Sequence, residues 1–168
     1  NSQMASLPLN NEGKIQSEKG TGVLVRVEEQ PSSEPEGDSS PEIRNSGSIV
    51  GSSAGVHVAF SDPGGDTKVV VRNLMNGEIR GTGDVAIRAT DETGSGAGTG
   101  GVRLLNEGTI RGNVELLNGG NHEITSEGAG SSIKGNLLLG SGNDVVKIQN
   151  SGTGTVERKA VEGSIDLG

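Results

Sequence analysis

Short alternations of apolar and polar residues recur along this chain, and no stretch has a helical repeat of useful length. Residues 23–27 read VLVRV, residues 56–60 read VHVAF and residues 69–72 read VVVR. Side chains of a β-strand point alternately to its two faces, so these patterns predict short strands. All five prolines lie at or before Pro63, which leaves the rest of the chain free to form continuous sheet. We therefore expect an all-β protein.

A repeated motif divides the chain into units of similar length. The pattern Asn-x-Gly-x-Ile occurs at residues 11–15, 45–49 and 106–110. Residues 75–79 repeat it with Met75 in the place of the asparagine. An ungapped alignment superposes residues 71–81 on residues 102–112. Self-similarity at such a spacing is typical of proteins built from stacked repeats.

A second motif follows the first. Residues 110–116 (IRGNVEL) return as residues 133–139 (IKGNLLL), and the beginning of the motif returns at residues 165–168 (IDLG). On this alignment the last copy stops within the motif, so we expect the chain end to lie inside a longer repeat array. The repeated isoleucines then stand at positions 15, 49, 79, 110, 133 and 165.

These repeats predict a parallel β-helix, or solenoid, with protruding loops. One aliphatic side chain of each short strand would point inward and stack on its equivalent in the next turn. The repeated asparagines would form a hydrogen-bonded ladder, and glycines beside the strands would turn the corners with positive φ. A β-sandwich does not explain the recurring motif, and the spacing of a leucine-rich repeat is absent.

Composition narrows the possible functions. The chain has one Phe and no Cys, Trp or Tyr, which excludes disulfides, a thiolate metal site and a base-stacking platform. A net charge of −8 disfavours binding to nucleic acid or to an anionic membrane. No apolar run is long enough to predict a membrane span.

Residues 28–42 (EEQPSSEPEGDSSPE) contain six acidic residues, three prolines and no basic residue. Such a composition cannot bury enough apolar surface to build a core, so we predict an inserted loop with uncompensated carboxylates. The candidate partner-binding residues are Glu28, Glu29, Glu34, Glu36, Asp38 and Glu42. A second loop is predicted at residues 91–100 (DETGSGAGTG), and a tight turn at residues 61–66. The two loops, residues 28–42 and 91–100, would protrude from a single domain covering residues 1–168.

The other candidate motifs give little indication of a metal, catalytic or phosphate-binding site. His57 alternates with Val56 and Val58 and should face outward; His122 lies in a Gly/Asn-rich corner without a second histidine at metal-ligand spacing. Residues 37–39 (GDS) suggest a protease serine, but nothing beside them builds an oxyanion hole. Residues 140–146 (GSGNDVV) fit most of a calcium-binding nonapeptide, but no tandem copy follows, which favours a tight corner. Residues 94–101 are glycine-rich but lack the Lys-Ser/Thr of a phosphate loop, so we expect no cofactor.

The motif series, followed by residues 139–146 (LGSGNDVV), resembles the passenger domains of Gram-negative autotransporters. The resemblance covers the Asn-x-Gly-x-Ile motifs and most of residues 104–168, and it leaves residues 28–42 without a counterpart. It implies a right-handed parallel β-helix displayed on, or released from, the bacterial surface. It also implies a role in virulence as an adhesin or in another interaction with host molecules.

We therefore expect a non-enzymatic surface or secreted bacterial β-helix that binds a host cell-surface or matrix protein. Two alternatives are a released factor that signals through a host receptor and a polysaccharide-active enzyme. The enzyme would use a groove along the solenoid, where aromatic platforms are usual and this chain has only Phe60. Unpaired strands at the solenoid ends predict weak self-association.

Overall fold

The computed structural model describes residues 8–28, 40–61, 67–92, 100–149 and 161–168. These residues form strands and no helix, so the described part contains no helix that could cross a membrane. The strands are β1 (Leu9–Asn11), β2 (Lys14–Ser17), β3 (Thr21–Glu28), β4 (Glu42–Asn45), β5 (Ser48–Gly51), β6 (Ala54–Ser61), β7 (Lys68–Asn73), β8 (Glu78–Asp91), β9 (Gly101–Asn106), β10 (Thr109–Leu116), β11 (Glu123–Glu127), β12 (Ser132–Lys134), β13 (Leu137–Leu138), β14 (Val145–Gln149) and β15 (Ile165–Asp166).

All strand pairs of the described residues are parallel and join successive turns of the chain, and the central strands, such as β5 and β7, pair with a strand of the preceding turn and with one of the following turn. The first sheet has the order β1-β4-β7-β9-β11-β14. The second sheet runs β15-β13-β10-β8-β5-β2, with β3, β6 and β12 attached to it. The predicted parallel β-helix is therefore confirmed. Several strands are longer than the short strands predicted, and the longest is β8, whose 14 residues pair with both β5 and β6.

A column of aliphatic side chains forms the centre of the second sheet. Ile15, Ile49, Ile79, Ile110 and Ile133 pair in register from turn to turn, as the motif predicts. The sequence alignment assigned Ile165 as the sixth residue of this column, and this assignment is wrong. Ile133 bridges to Val161, while Ile165 pairs with Leu137. The last copy thus begins at Val161, and the alignment that cut it short at residues 165–168 is four residues out of register.

The predicted asparagine ladder is present inside the first sheet. Side-chain hydrogen bonds join Asn11 to Asn45 (2.7 Å), Asn45 to Asn73 (2.9 Å) and Asn73 to Asn106 (2.9 Å), and Ser126 continues the ladder. The ladder member of the third turn is Asn73, so the assignment of Met75 to that place is wrong.

Two additional residues explain the error at Met75. Asn73 pairs with Asn106 and Ile79 with Ile110, so the third turn has two more residues between these positions than the fourth. The ungapped alignment therefore fails before Gly77. The extra length forms a turn at the surface, where the Met75 side chain is 67% exposed and Asn76 has a φ of 70°.

Candidate functional site

The two predicted loops and the predicted tight turn each fall between strands of one corner of the solenoid. Residues 29–39 join β3 to β4, residues 62–66 join β6 to β7 and residues 93–99 join β8 to β9; all three segments lie outside the described residues. The strands on either side of these segments are neighbours, because β3 pairs with β6 and β6 with β8, while β4 pairs with β7 and β7 with β9. We call the described strand ends around the three segments the loop corner. The strand ends before the three segments lie about 4.8 Å apart, the spacing of paired strands.

Phe60 anchors the loop corner from the inside. It is the only aromatic residue of the chain, and it is fully buried at the end of β6. Its ring lies so close to Gly100, the residue after the third loop, that a Cβ at this position would overlap ring atoms. A glycine is needed here because the ring occupies the space of any side chain.

Glu92, the residue after β8, forms hydrogen bonds to β3 and β6. Its Oε1 lies 3.1 Å from Nη2 of Arg26 on β3, and its Oε2 accepts a 2.7 Å hydrogen bond from the Ser61 hydroxyl on β6. Its backbone N–H donates to Phe60 O at 2.8 Å. The hydrogen bond from Ser61, with that from Arg26, lowers the pKa of Glu92, so its carboxylate stays charged in this position.

The predicted partner-binding residues are only in part at this surface. Glu28 is exposed at the end of β3, and Glu29, Glu34, Glu36 and Asp38 lie outside the described residues. Glu42 is on β4, where its carboxylate accepts hydrogen bonds from Arg44 and Arg72 and its side chain is 21% exposed.

The interpretation of Glu42 as an uncompensated carboxylate is therefore wrong. Burial raises the pKa of Glu42, but the hydrogen bonds from Arg44 and Arg72 outweigh burial and lower it. Both arginines lie beyond residues 28–42 in sequence, and Arg72 reaches Glu42 only because β7 pairs with β4.

The two histidines occupy different environments. His57 is half-buried on β6, away from the aliphatic column as predicted, with Nε2 2.8 Å from the Thr90 hydroxyl. Burial, with help from Arg88, lowers its pKa. His122 does lie at a corner, but its side chain is fully buried, which sequence reasoning missed. The signal was the alternation of His122 with the inward-facing Ile124 and Ser126.

In the described part of the chain, no group of three or more His, Cys, Asp or Glu residues could hold a metal ion. Asp144, in the calcium-like sequence, uses Oδ1 to accept a hydrogen bond from the His122 backbone N–H at 2.8 Å. Residues 37–39, which resemble a protease motif, and residues 94–99 of the glycine-rich segment lie outside the described residues.

An open groove of about 900 Å³ lies on the second sheet, away from the loop corner. Its polar lining includes Thr109, Arg111, Ser131, Ser132, Lys134 and Glu162. Glycoside hydrolysis usually needs two carboxyl groups across the scissile bond. Among the described residues this lining has one, Glu162, whose Oε1 lies 3.8 Å from Nζ of Lys134. The groove therefore gives little support to the polysaccharide-active alternative.

Comparisons with protein-family models, with curated proteins and with solved structures find no match to this chain. The resemblance to autotransporter passenger domains stays an expectation drawn from the motifs, whereas the β-helix rests on the strand pairing described above.

Proposed function

We propose that this chain is a non-enzymatic interaction module, displayed on a bacterial surface or secreted, whose β-helix presents the loop corner to a host protein. The observation that carries the proposal is that the strands before the three segments pair with one another, with Glu92 bonded to β3 and β6. Loops held by a rigid scaffold often carry binding residues, and solenoids commonly bind along one face.

Charge suggests the partner. Residues 29–39 contain four acidic residues and no basic one, whereas Glu42 at their far end is neutralised by two arginines. We therefore take Glu28 and the four acidic residues of residues 29–39 as the partner-binding carboxylates. A basic patch on a host cell-surface or matrix protein is complementary to them, and such complementarity accelerates association.

The test is equilibrium binding of the labelled chain to cultured epithelial and endothelial cells, with unlabelled chain as competitor. The first variant replaces Glu29, Glu34, Glu36 and Asp38 by their amides. The matched control makes the same change at four exposed glutamates far from the loop corner: Glu12, Glu18, Glu107 and Glu127.

We expect saturable binding of the wild-type chain, at least about tenfold weaker binding of the loop variant, and a change within about twofold for the control. Absence of saturable binding by the wild-type chain would overturn the proposal. An equal loss in both variants would show a general charge effect and would also reject the loop corner as the binding site.

A further inference from the structure

Three buried polar atoms of the described residues have no hydrogen-bond partner, and they lie in two successive connections of one corner. They are Asn118 Oδ1, His122 Nε2 and Asp144 Oδ2. Asn118 and His122 belong to the connection from β10 to β11, and Asp144 belongs to the connection from β13 to β14. The side chains of Asn118 and His122 are almost fully buried, at 2% and 0% exposure of the residues. Buried polar atoms without partners are rare and call for an explanation.

The tautomer of His122 follows from its contacts. The backbone N–H of Val102 donates a 3.1 Å hydrogen bond to Nδ1 of His122. A backbone amide only donates, so Nδ1 carries no proton and the neutral ring has its proton on Nε2. Because Nε2 is protonated, it has no lone pair for a metal ion, which argues against a metal site at this corner.

Two hydrogen bonds hold the connection from β10 to β11 against β9 and the residue before it. The ring of His122 bonds to Val102, and the Asn118 amide donates a 2.7 Å hydrogen bond to Gly100 O, just before β9. The His122 backbone N–H donates to Asp144 Oδ1 in the following turn. His122 therefore links three successive turns.

The charged groups near the ring are Asp144, from the following turn, and Lys68, on β7. Burial lowers the pKa of His122; Asp144 opposes this effect and Lys68 adds to it. Lys68 is itself ion-paired with Glu123, which also bonds to Arg103.

We propose that His122 is an acid-sensitive latch. In the closed state its neutral ring holds the connection from β10 to β11 against β9 through the hydrogen bond from Val102. Protonation of the ring breaks this bond and gives the open state. Protonation places a hydrogen on Nδ1, which then faces the Val102 N–H, so a hydrogen bond is replaced by two opposed donors. The latch is a property of the corner itself and does not depend on the proposed binding of a host protein.

The direction of the pH dependence follows from proton linkage. In the open state His122 has an ordinary pKa of about 6.5, and in the closed state its pKa is lower. Between these two values the open state binds more protons. The closed corner is thus fully stable above about pH 6.5 and loses stability as the pH falls below that value.

The test uses amide hydrogen exchange and ¹⁵N spectra of the two histidines in the full chain. At about pH 7.5 the Nδ1 of His122 should give the signal of an unprotonated nitrogen. Between about pH 7.5 and pH 5.0 the protection of the Val102 and His122 amides, corrected for intrinsic exchange, should fall about tenfold or more. The Ile79 amide, in the centre of the solenoid, serves as the internal reference.

Two variants complete the test. His122→Asn keeps an acceptor near the Nδ1 position and cannot be protonated, so protection should change less than about twofold over the same range. His57→Gln should behave as the wild-type chain. A protonated Nδ1 at neutral pH, constant protection of Val102 in the wild-type chain, or the same acid-induced loss in His122→Asn would each overturn the proposal. The ¹⁵N measurement on the wild-type chain decides even if the variant does not fold.

Discussion

The side-chain amide of Asn73 donates a 2.9 Å hydrogen bond to Asn106 Oδ1 in the next turn, and it accepts one from Asn45 in the previous turn. All three asparagines are fully buried. An amide can donate and accept at once, which allows identical side chains to bond in an unbroken row. This ladder fixes the register between turns, because a shift of one residue would separate each donor from its acceptor.

Asn73→Ala should lower the free energy of unfolding by about 2 to 4 kcal/mol. The substitution removes bonds from Nδ2 to Asn106 Oδ1 and to the carbonyls of Gly77 and Thr109, and it leaves buried partners unsatisfied. Chemical denaturation measures the change. Asn10→Ala is the control, since Asn10 is exposed on β1, and it should change stability by less than about 0.5 kcal/mol. Equal losses in the two variants would contradict a stabilising role for the ladder.

The glycine of the Asn-x-Gly-x-Ile motif is needed for close approach between turns. A Cβ on Gly47 would lie 2.7 Å from the backbone carbonyl carbon of Glu12 and 2.8 Å from Gly13 N. The equivalent Gly13, in the first turn, has nothing within 4 Å of that position. None of the four motif glycines is among the described residues with positive φ; the expected positive-φ glycines beside strands are others, such as Gly20 before β3 and Gly128 after β11.

These two glycines provide a matched pair of variants. Gly47→Ala should cost about 2 kcal/mol or more, because backbone atoms must move to admit the methyl group. Gly13→Ala should change stability by less than about 1 kcal/mol. Denaturation midpoints of the two variants give the comparison, and similar losses in both would show that contact between turns is not the reason for the glycine.

Glu123 should contribute to stability only above the acidic range. Hydrogen bonds from Lys68 and then Arg103 lower its pKa in the folded chain. The unfolded chain therefore takes up the proton first as the pH falls, and the contribution is present above about pH 4.3 and lost below it. All three side chains are partly exposed, so the effect should stay below about 1 kcal/mol.

Glu123→Gln tests this expectation by denaturation at a series of pH values. The variant should be less stable than the wild-type chain at neutral pH, and the difference should vanish in acid. Glu107→Gln is the control, because Glu107 is exposed and forms no ion pair among the described residues. A Glu123→Gln difference that persists unchanged in acid would refute a contribution from the charged carboxylate.

Local patterns in the sequence were sufficient to predict the architecture. Alternation at residues 23–27 and 56–60 predicted strands that became β3 and β6, and the repeated motif predicted the parallel solenoid, the isoleucine column and the asparagine ladder. These features follow from the sequence because each depends on side-chain periodicity within one turn and on its recurrence in the next.

Register between turns and the environment of single residues were decided by the tertiary structure. Asn73 rather than Met75 joins the ladder, because only an amide side chain can accept a hydrogen bond from Asn45 and donate one to Asn106. Val161 rather than Ile165 joins the isoleucine column, because the backbone register pairs Ile165 with Leu137. His122 is buried by turns 20 or more residues away, as its bonds to Val102 and Asp144 indicate. Motif spacing reports how often the chain turns; only the packing of one turn on another determines which atoms meet.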